Sequence, residues 1–139
     1  MKLSARNQIK GVVSNVNEGA VNAIVALDFA GQTISGTISM AAVKELGLEK
    51  GKEAVAVIKA TEVMIGLGDL VLSARNKFAG KVVEINEGAV NSIVKVEIAG
   101  GNVVSATISR AAVSELELAV GKEVVAVIKA TSVMFGVEA

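Results

Sequence analysis

Apolar residues return at every second position through several short stretches of this chain, and turn-forming residues separate those stretches. Val21, Ala23, Val25, Leu27 and Phe29 alternate with less apolar neighbours, the period of a strand with one buried face. Ile9 to Val16 is rich in β-branched residues, is bounded by Asn and Gly, and reads as a strand before it. Ala30-Gly31-Gln32 marks a turn, Thr33 to Ile38 a short third strand, and Glu53 to Lys59 and Glu62 to Ile65 two more. Between the third and fourth strands the pattern changes. Ser39 is placed to cap a helix from Met40 to about Leu46, because its hydroxyl can accept from a first-turn amide. Val43 and Leu46 would face the core from that helix, and Gly47 or Gly51 would end the region. Five short strands with one helix between the third and fourth is the element order of a small OB-like Greek-key barrel.

The whole pattern occurs twice. Leu3-Ser4-Ala5-Arg6-Asn7 returns as Leu72-Ser73-Ala74-Arg75-Asn76, and Asn17-Glu18-Gly19-Ala20-Val21-Asn22 as Asn86-Glu87-Gly88-Ala89-Val90-Asn91, both 69 residues on. Thr37-Ile38-Ser39 returns as Thr107-Ile108-Ser109 and Val55 to Thr61 as Val125 to Thr131, now 70 residues on. The extra residue falls near Gly100-Gly101, opposite the single Gly31, where a hairpin turn tolerates insertion. The expected fold is therefore mainly β, two tandem OB-like five-stranded Greek-key barrels, each with one short helix. The modules would be residues 1–67 and 68–139, divided near Gly66-Leu67-Gly68-Asp69. Proline is absent, so strand edges are not guarded that way, which favours edges covered by a neighbouring module.

Composition narrows the function. Of 139 residues 52% are apolar, and the mean hydropathy is +0.58. A segment of about 70 residues buries only roughly 60% of its unfolded surface, so modules this apolar are expected to bury the excess against each other or in an oligomer. Fourteen basic residues balance fourteen acidic ones, which gives no general attraction to nucleic acid or anionic lipid. Cysteine and histidine are absent, which removes thiolate chemistry, the commonest general base and the commonest transition-metal ligand. Trp and Tyr are absent and Phe occurs three times, leaving few platforms for stacking bases. The first residues turn polar at once, unlike a signal peptide, and no apolar run spans a bilayer, so a cytoplasmic protein is the expectation.

The polar motifs identical in both copies are Ser-Ala-Arg-Asn, Glu-Gly-Ala-Val-Asn, Thr-Ile-Ser and Lys-Ala-Thr. All are rich in hydrogen-bond donors: hydroxyls on Ser4, Ser39 and Thr61, amides on Asn7 and Asn22, positive charge on Arg6 and Lys59. A tetrahedral oxyanion needs that complement, since its oxygens accept hydrogen bonds and its charge needs compensation. Ala5 and Gly19 are small enough for backbone amides to approach a ligand. Each motif also has a plainer reading: Ser39 as a helix cap, Glu18-Gly19 as a hairpin turn, Lys59 as a solvated strand end, Arg6 as a surface salt-bridge partner. The residues alone do not name the anion.

Leu3 to Asn7, Glu18 to Asn22, and Gly51-Lys52-Glu53 leading into Val57-Ile58-Lys59-Ala60-Thr61, all repeated, make the chain resemble the molbindins, small molybdate-binding proteins, of the type with two Mop (TOBE-like) modules. The resemblance covers nearly the whole chain. It implies molybdate or tungstate as ligand, held at interfaces between modules, with no cofactor and no directly ligated metal cation. One class of site would use Ser4, Ala5, Arg6, Ser39, Lys59, Ala60 and Thr61, and Ser73, Ala74, Arg75, Ser109, Lys129, Ala130 and Thr131. A second class, around a three-fold axis, would use Gly19, Ala20, Val21 and Asn22, and Gly88, Ala89, Val90 and Asn91. Single-module relatives form hexamers, so a two-module chain is expected to form a homotrimer. No Walker-type loop or DNA-binding helical domain accompanies the modules here, which points to a free-standing storage or homeostasis form.

The competing readings are a ligand-free structural or interaction module, a nucleic-acid-binding OB-fold and an enzyme. Missing aromatics and zero net charge count against nucleic acid, and no nucleophile-and-base arrangement offers catalysis.

Overall fold

The computed structural model describes residues 2–69 and 71–138. Its elements run in the same order in both copies. The first contains β1 (Asn7–Glu18), β2 (Asn22–Phe29), β3 (Gln32–Ser39), α1 (Met40–Leu46), β4 (Glu53–Ile58) and β5 (Val63–Gly66). The second contains β6 (Asn76–Glu87), β7 (Asn91–Glu97), β8 (Val103–Ser109), α2 (Arg110–Glu115), β9 (Glu123–Ile128) and β10 (Met134–Gly136).

The alternation in β2 does what its period requires: Ala23, Val25, Leu27 and Phe29 are buried while Asn22 and Asp28 are exposed. Ala30 and Gly31 both take positive φ, 47° and 77°, in a two-residue turn that suits the twist of the β2–β3 hairpin. In the second copy the inserted residue becomes a short 3-10 turn at Ala99–Gly101, with Gly100 and Gly101 both at positive φ. Strand β1 pairs with β4 through its first half and with β2 through its second. A bulge between Val13 and Asn15 bends it, and Gly11 lets Asp28 approach: a Cβ there would lie 2.3 Å from the Asp28 carbonyl oxygen. Strand β6 repeats the device with a bulge between Val82 and Glu84 and with Gly80. Each sheet is therefore strongly bent. Ser39 Oγ accepts from the Ala42 amide at 3.0 Å at the start of α1, and Gly47 ends the helix in the left-handed conformation. Lys52 Nζ donates to the Leu46 carbonyl at the same end.

The fifth strands do not join the sheets of their own copies. One sheet runs β10-β4-β1-β2-β3 and the other β5-β9-β6-β7-β8. Strand β10 pairs with β4 (Phe135 opposite Ala56), and β5 pairs with β9 (Ile65 opposite Ala126). The sequence order leads one to expect five consecutive strands per barrel; instead each barrel takes four from one copy and the fifth from the other. The chemistry permits this because Val63-Met64-Ile65-Gly66 and Val133-Met134-Phe135-Gly136 are nearly the same segment. As a result one hydrophobic cluster runs through both copies, and Phe29 meets Phe78 edge-to-face with ring centroids 5.5 Å apart.

Two buried amides also tie the copies together. Asn7 Nδ2 donates to the Ser105 carbonyl at 2.8 Å, and the Ser105 amide donates to Asn7 Oδ1 at 2.7 Å. Asn76 treats Ser35 identically, with both bonds at 2.8 Å. Each asparagine thus acts as a one-residue strand partner on the exposed edge of the other copy's β3 or β8. Both are 1% exposed, so these are satisfied buried polar groups and not solvent-facing donors.

Candidate oxyanion site

Two clefts related by the internal repeat lie where the copies meet. The first, about 430 Å³, is lined by Ser4, Ala5 and Arg6 on the segment entering β1, by Lys59, Ala60 and Thr61 after β4, and by Thr107 and Met134 from the second copy. The second, about 400 Å³, is lined by Ser73, Ala74, Arg75, Lys129, Ala130 and Thr131, with Thr37 and Met64 from the first copy.

Local structure explains the shape. After β4 the chain enters a 3-10 turn at Ala60–Glu62, with Lys59 extended at its start and the Glu62 amide bonded to the Lys59 carbonyl. This turns the Lys59 and Thr61 side chains outward while Ala60 packs inward. The same turn follows β9 at Ala130–Ser132. Ser132 Oγ donates to Glu62 Oε2 at 3.1 Å, so the two turns touch each other across the repeat. Among the described residues Arg6, Lys59, Arg75 and Lys129 have no ion-pair partner. Each cleft therefore holds two uncompensated cations and hydroxyl donors around small alanine walls, a set suited to an anion with several accepting oxygens.

The structure sorts the sequence-predicted residues. Ser-Ala-Arg and Lys-Ala-Thr come together in both copies. Ser39 and Ser109 are not among the residues lining these two clefts; each caps a helix, its Oγ accepting from Ala42 or Ala112 at 3.0 Å, which leaves its O–H free to donate. The members of the Thr-Ile-Ser motif that reach the clefts are Thr37 and Thr107, which sequence reasoning passed over in favour of the serines. Their signal was present, since the whole triplet repeats. Met64 and Met134 were missed as well, because strand exchange carries them into the opposite clefts. Asn7 was read as a donor for an anion, but its amide is consumed by Ser105.

Gly19, Ala20, Val21 and Asn22 form the exposed β1–β2 hairpin, and Gly88, Ala89, Val90 and Asn91 its counterpart. The Gly19 amide donates to the Asn22 carbonyl at 2.9 Å, and a Cβ on Gly19 would come within 2.6 Å of that oxygen. Val21 and Val90 are 74% and 75% exposed, large apolar side chains at the tips of the hairpins. Within one chain this region has no enclosing wall. Among the described residues no group of acids can hold a metal ion, and no helix is long and apolar enough to cross a membrane.

These features define a β-rich architecture built from two copies of one module, and comparison with known proteins places it. The TOBE domain family matches residues 3–65 and 72–135, and the chain belongs to that family, in its two-domain form. It is 64% identical over 68 residues to a probable molybdenum-pterin-binding protein of Haemophilus influenzae, aligning with 99% of that protein and 48% of this chain. It is 40% identical over 141 residues to the molybdenum transport protein ModE of Herbaspirillum seropedicae, covering 99% of this chain. This chain spans about half the length of that relative, 52%. A solved structure of the cytoplasmic molybdate-binding protein ModG, with molybdate bound, superposes with a TM-score of 0.96 at 41% identity, covering 99% of this chain and all of the other.

Proposed function

We propose that the chain binds molybdate, or tungstate, in the two clefts and serves to store and buffer the anion inside the cell. The observation that carries this is the pair of equivalent clefts, each with an unpaired Arg and Lys beside Ser and Thr hydroxyls. A tetrahedral dianion presents accepting oxygens in every direction and a double negative charge to such a set. The arginine and lysine compensate charge, and the hydroxyls and nearby amides fix orientation. The role proposed is capture and release of the anion, in keeping with relatives named for binding molybdate or molybdenum-pterin. The relatives named for molybdenum or molybdate support this choice of anion.

The sequence modules 1–67 and 68–139 would each present one copy of every motif. Three chains would meet around the Gly19–Asn22 and Gly88–Asn91 hairpins, covering Val21 and Val90 and completing the second class of site there. Such a homotrimer, working in the cytoplasm without a nucleic-acid partner or cofactor, would have three times the 14.1 kDa mass of the chain.

Isothermal titration with molybdate, tungstate, sulfate and phosphate tests the anion. Heats with the first two and weak or no response to the others are expected; silence with molybdate and tungstate overturns the proposal. Light scattering tests the assembly, and a stable monomer would remove the shared hairpin sites.

A further inference from the structure

The cross-copy wall of each cleft is an open strand edge, and its phase can be worked out. In an antiparallel pair, alternate residues point their main-chain N–H and C=O toward the partner strand and away from it. The Arg110 amide donates to the Val90 carbonyl, so Ile108 and Ala106 also bond inward to β7. Ser105 and Thr107 then point outward, and the Ser105 bonds to Asn7 agree with that phase. The first copy repeats this: the Met40 amide bonds to Val21, so Ser35 and Thr37 point outward, and Ser35 is held by Asn76. Ser105 and Ser35 have their asparagine partners. The next outward amides along the same edges are those of Thr107 and Thr37, and both residues line the clefts.

We propose that the main-chain N–H groups of Thr107 and Thr37 are the donors each copy contributes to the other's oxyanion cleft. Asn7 and Asn76 are the positioning residues that aim them. This rests on the function proposed above. The link is short. Asn7 directly follows Arg6, which lines the first cleft, and Ser105 lies two residues from Thr107 on the same edge. The two Asn7 bonds therefore lock Ser4-Ala5-Arg6 and Thr107 into one register. A strand amide has no rotamer to order on binding, so once aimed it donates to an oxyanion at little entropic cost.

The test uses the full chain with molybdate as the probe, read by titration calorimetry and amide NMR. In the unmodified protein, saturation is expected to move the Thr107 and Thr37 amide protons downfield. Asn7→Ala leaves the Asn76 clamp and the strand exchange in place, so the chain stays folded. To read one cleft at a time, Asn7→Ala is placed in a Lys129→Ala background. There it is expected to weaken molybdate binding by about tenfold or more, the scale of a hydrogen bond to a charged group. The Thr107 shift is lost with it. In a chain carrying Asn7→Ala alone, the Thr37 shift persists. Ile9→Val, a mild core loss beside Asn7, lowers stability without moving affinity. The inference is overturned if molybdate binds but the two threonine amides do not move, or if Asn7→Ala lowers stability with affinity unchanged. If the unmodified protein takes up no molybdate at all, the functional proposal itself falls.

Discussion

Phe135 belongs to the second copy by sequence, yet its ring fills a slot in the first copy's sheet. It sits opposite Ala56, and its Cε2 lies 2.5 Å from where a Cβ on Gly36 would stand. Phe135→Ala removes the ring from a position only 9% exposed, and Gly36 has no side chain that can move into the space. Loss of transfer energy plus a residual cavity costs about 3 kcal/mol, near the lower end for such a truncation because the site is at a sheet edge. Against a typical stability of about 10 kcal/mol that is a third of the total. For a cooperative unit of this size it lowers Tm by roughly 10 °C. Urea unfolding at fixed protein concentration measures the loss, and hydrogen exchange with mass spectrometry locates it. Protection is expected to fall in β3 and β4, half a chain away in sequence, while Ile65→Ala mirrors the effect in β8 and β9. A Phe135→Ala loss confined to β8 and β9, or a cost below about 1 kcal/mol, would refute the exchange of fifth strands.

Lys59→Ala combined with Lys129→Ala is expected to weaken anion uptake by calorimetry and leave the assembled mass unchanged; disassembly would reassign both lysines to subunit contacts. Gly80→Ala forces a Cβ to within 2.3 Å of the Glu97 carbonyl oxygen and should cost more than about 2 kcal/mol in urea unfolding. Gly31→Ala, with φ of 77° but nothing within 4 Å, should cost about 1 kcal/mol; the reverse order would contradict this account of the bend. The Asn86 amide and the Lys95 ammonium, 3.3 Å away, hold the Glu84 carboxyl below its ordinary value. Since the folded value is the lower one, its small contribution is present above the unfolded value and fades as pH falls through the folded value. Side-chain NMR titration of Glu84 should therefore give a value below that of free glutamate that rises with added salt, and no displacement would contradict the pairing.

The local elements were legible because each follows from neighbouring residues. Alternation placed β2, and Ser39 and Gly47 bounded α1 at Met40–Leu46. Gly100-Gly101 marked the inserted turn. Strand exchange was not legible. The two fifth strands are near copies, so nothing in their own residues says which sheet they enter; that choice is tertiary. The site was half legible for the same reason. Ser-Ala-Arg and Lys-Ala-Thr converge because β1 pairs with β4 inside one copy. Thr37 and Thr107 arrive from the other copy, across contacts no local pattern encodes. Ser39 drew notice before Thr37 because a hydroxyl before a helix is a recognisable cap, and it does accept from the Ala42 amide. Asn7 misled in the opposite sense: its donors were noticed, but their target was the bare edge of β8.

The crossed fifth strands also bear on how the protein behaves on dilution. A chain carrying only one copy would have to obtain that strand from a second molecule, and its barrel would come and go with concentration. Joining the copies through the short connection between β5 and β6 turns that encounter into a reaction within one molecule, at an effective concentration on the order of millimolar. The pair of barrels, and with it each two-copy cleft, then persists on dilution, because the association no longer depends on protein concentration.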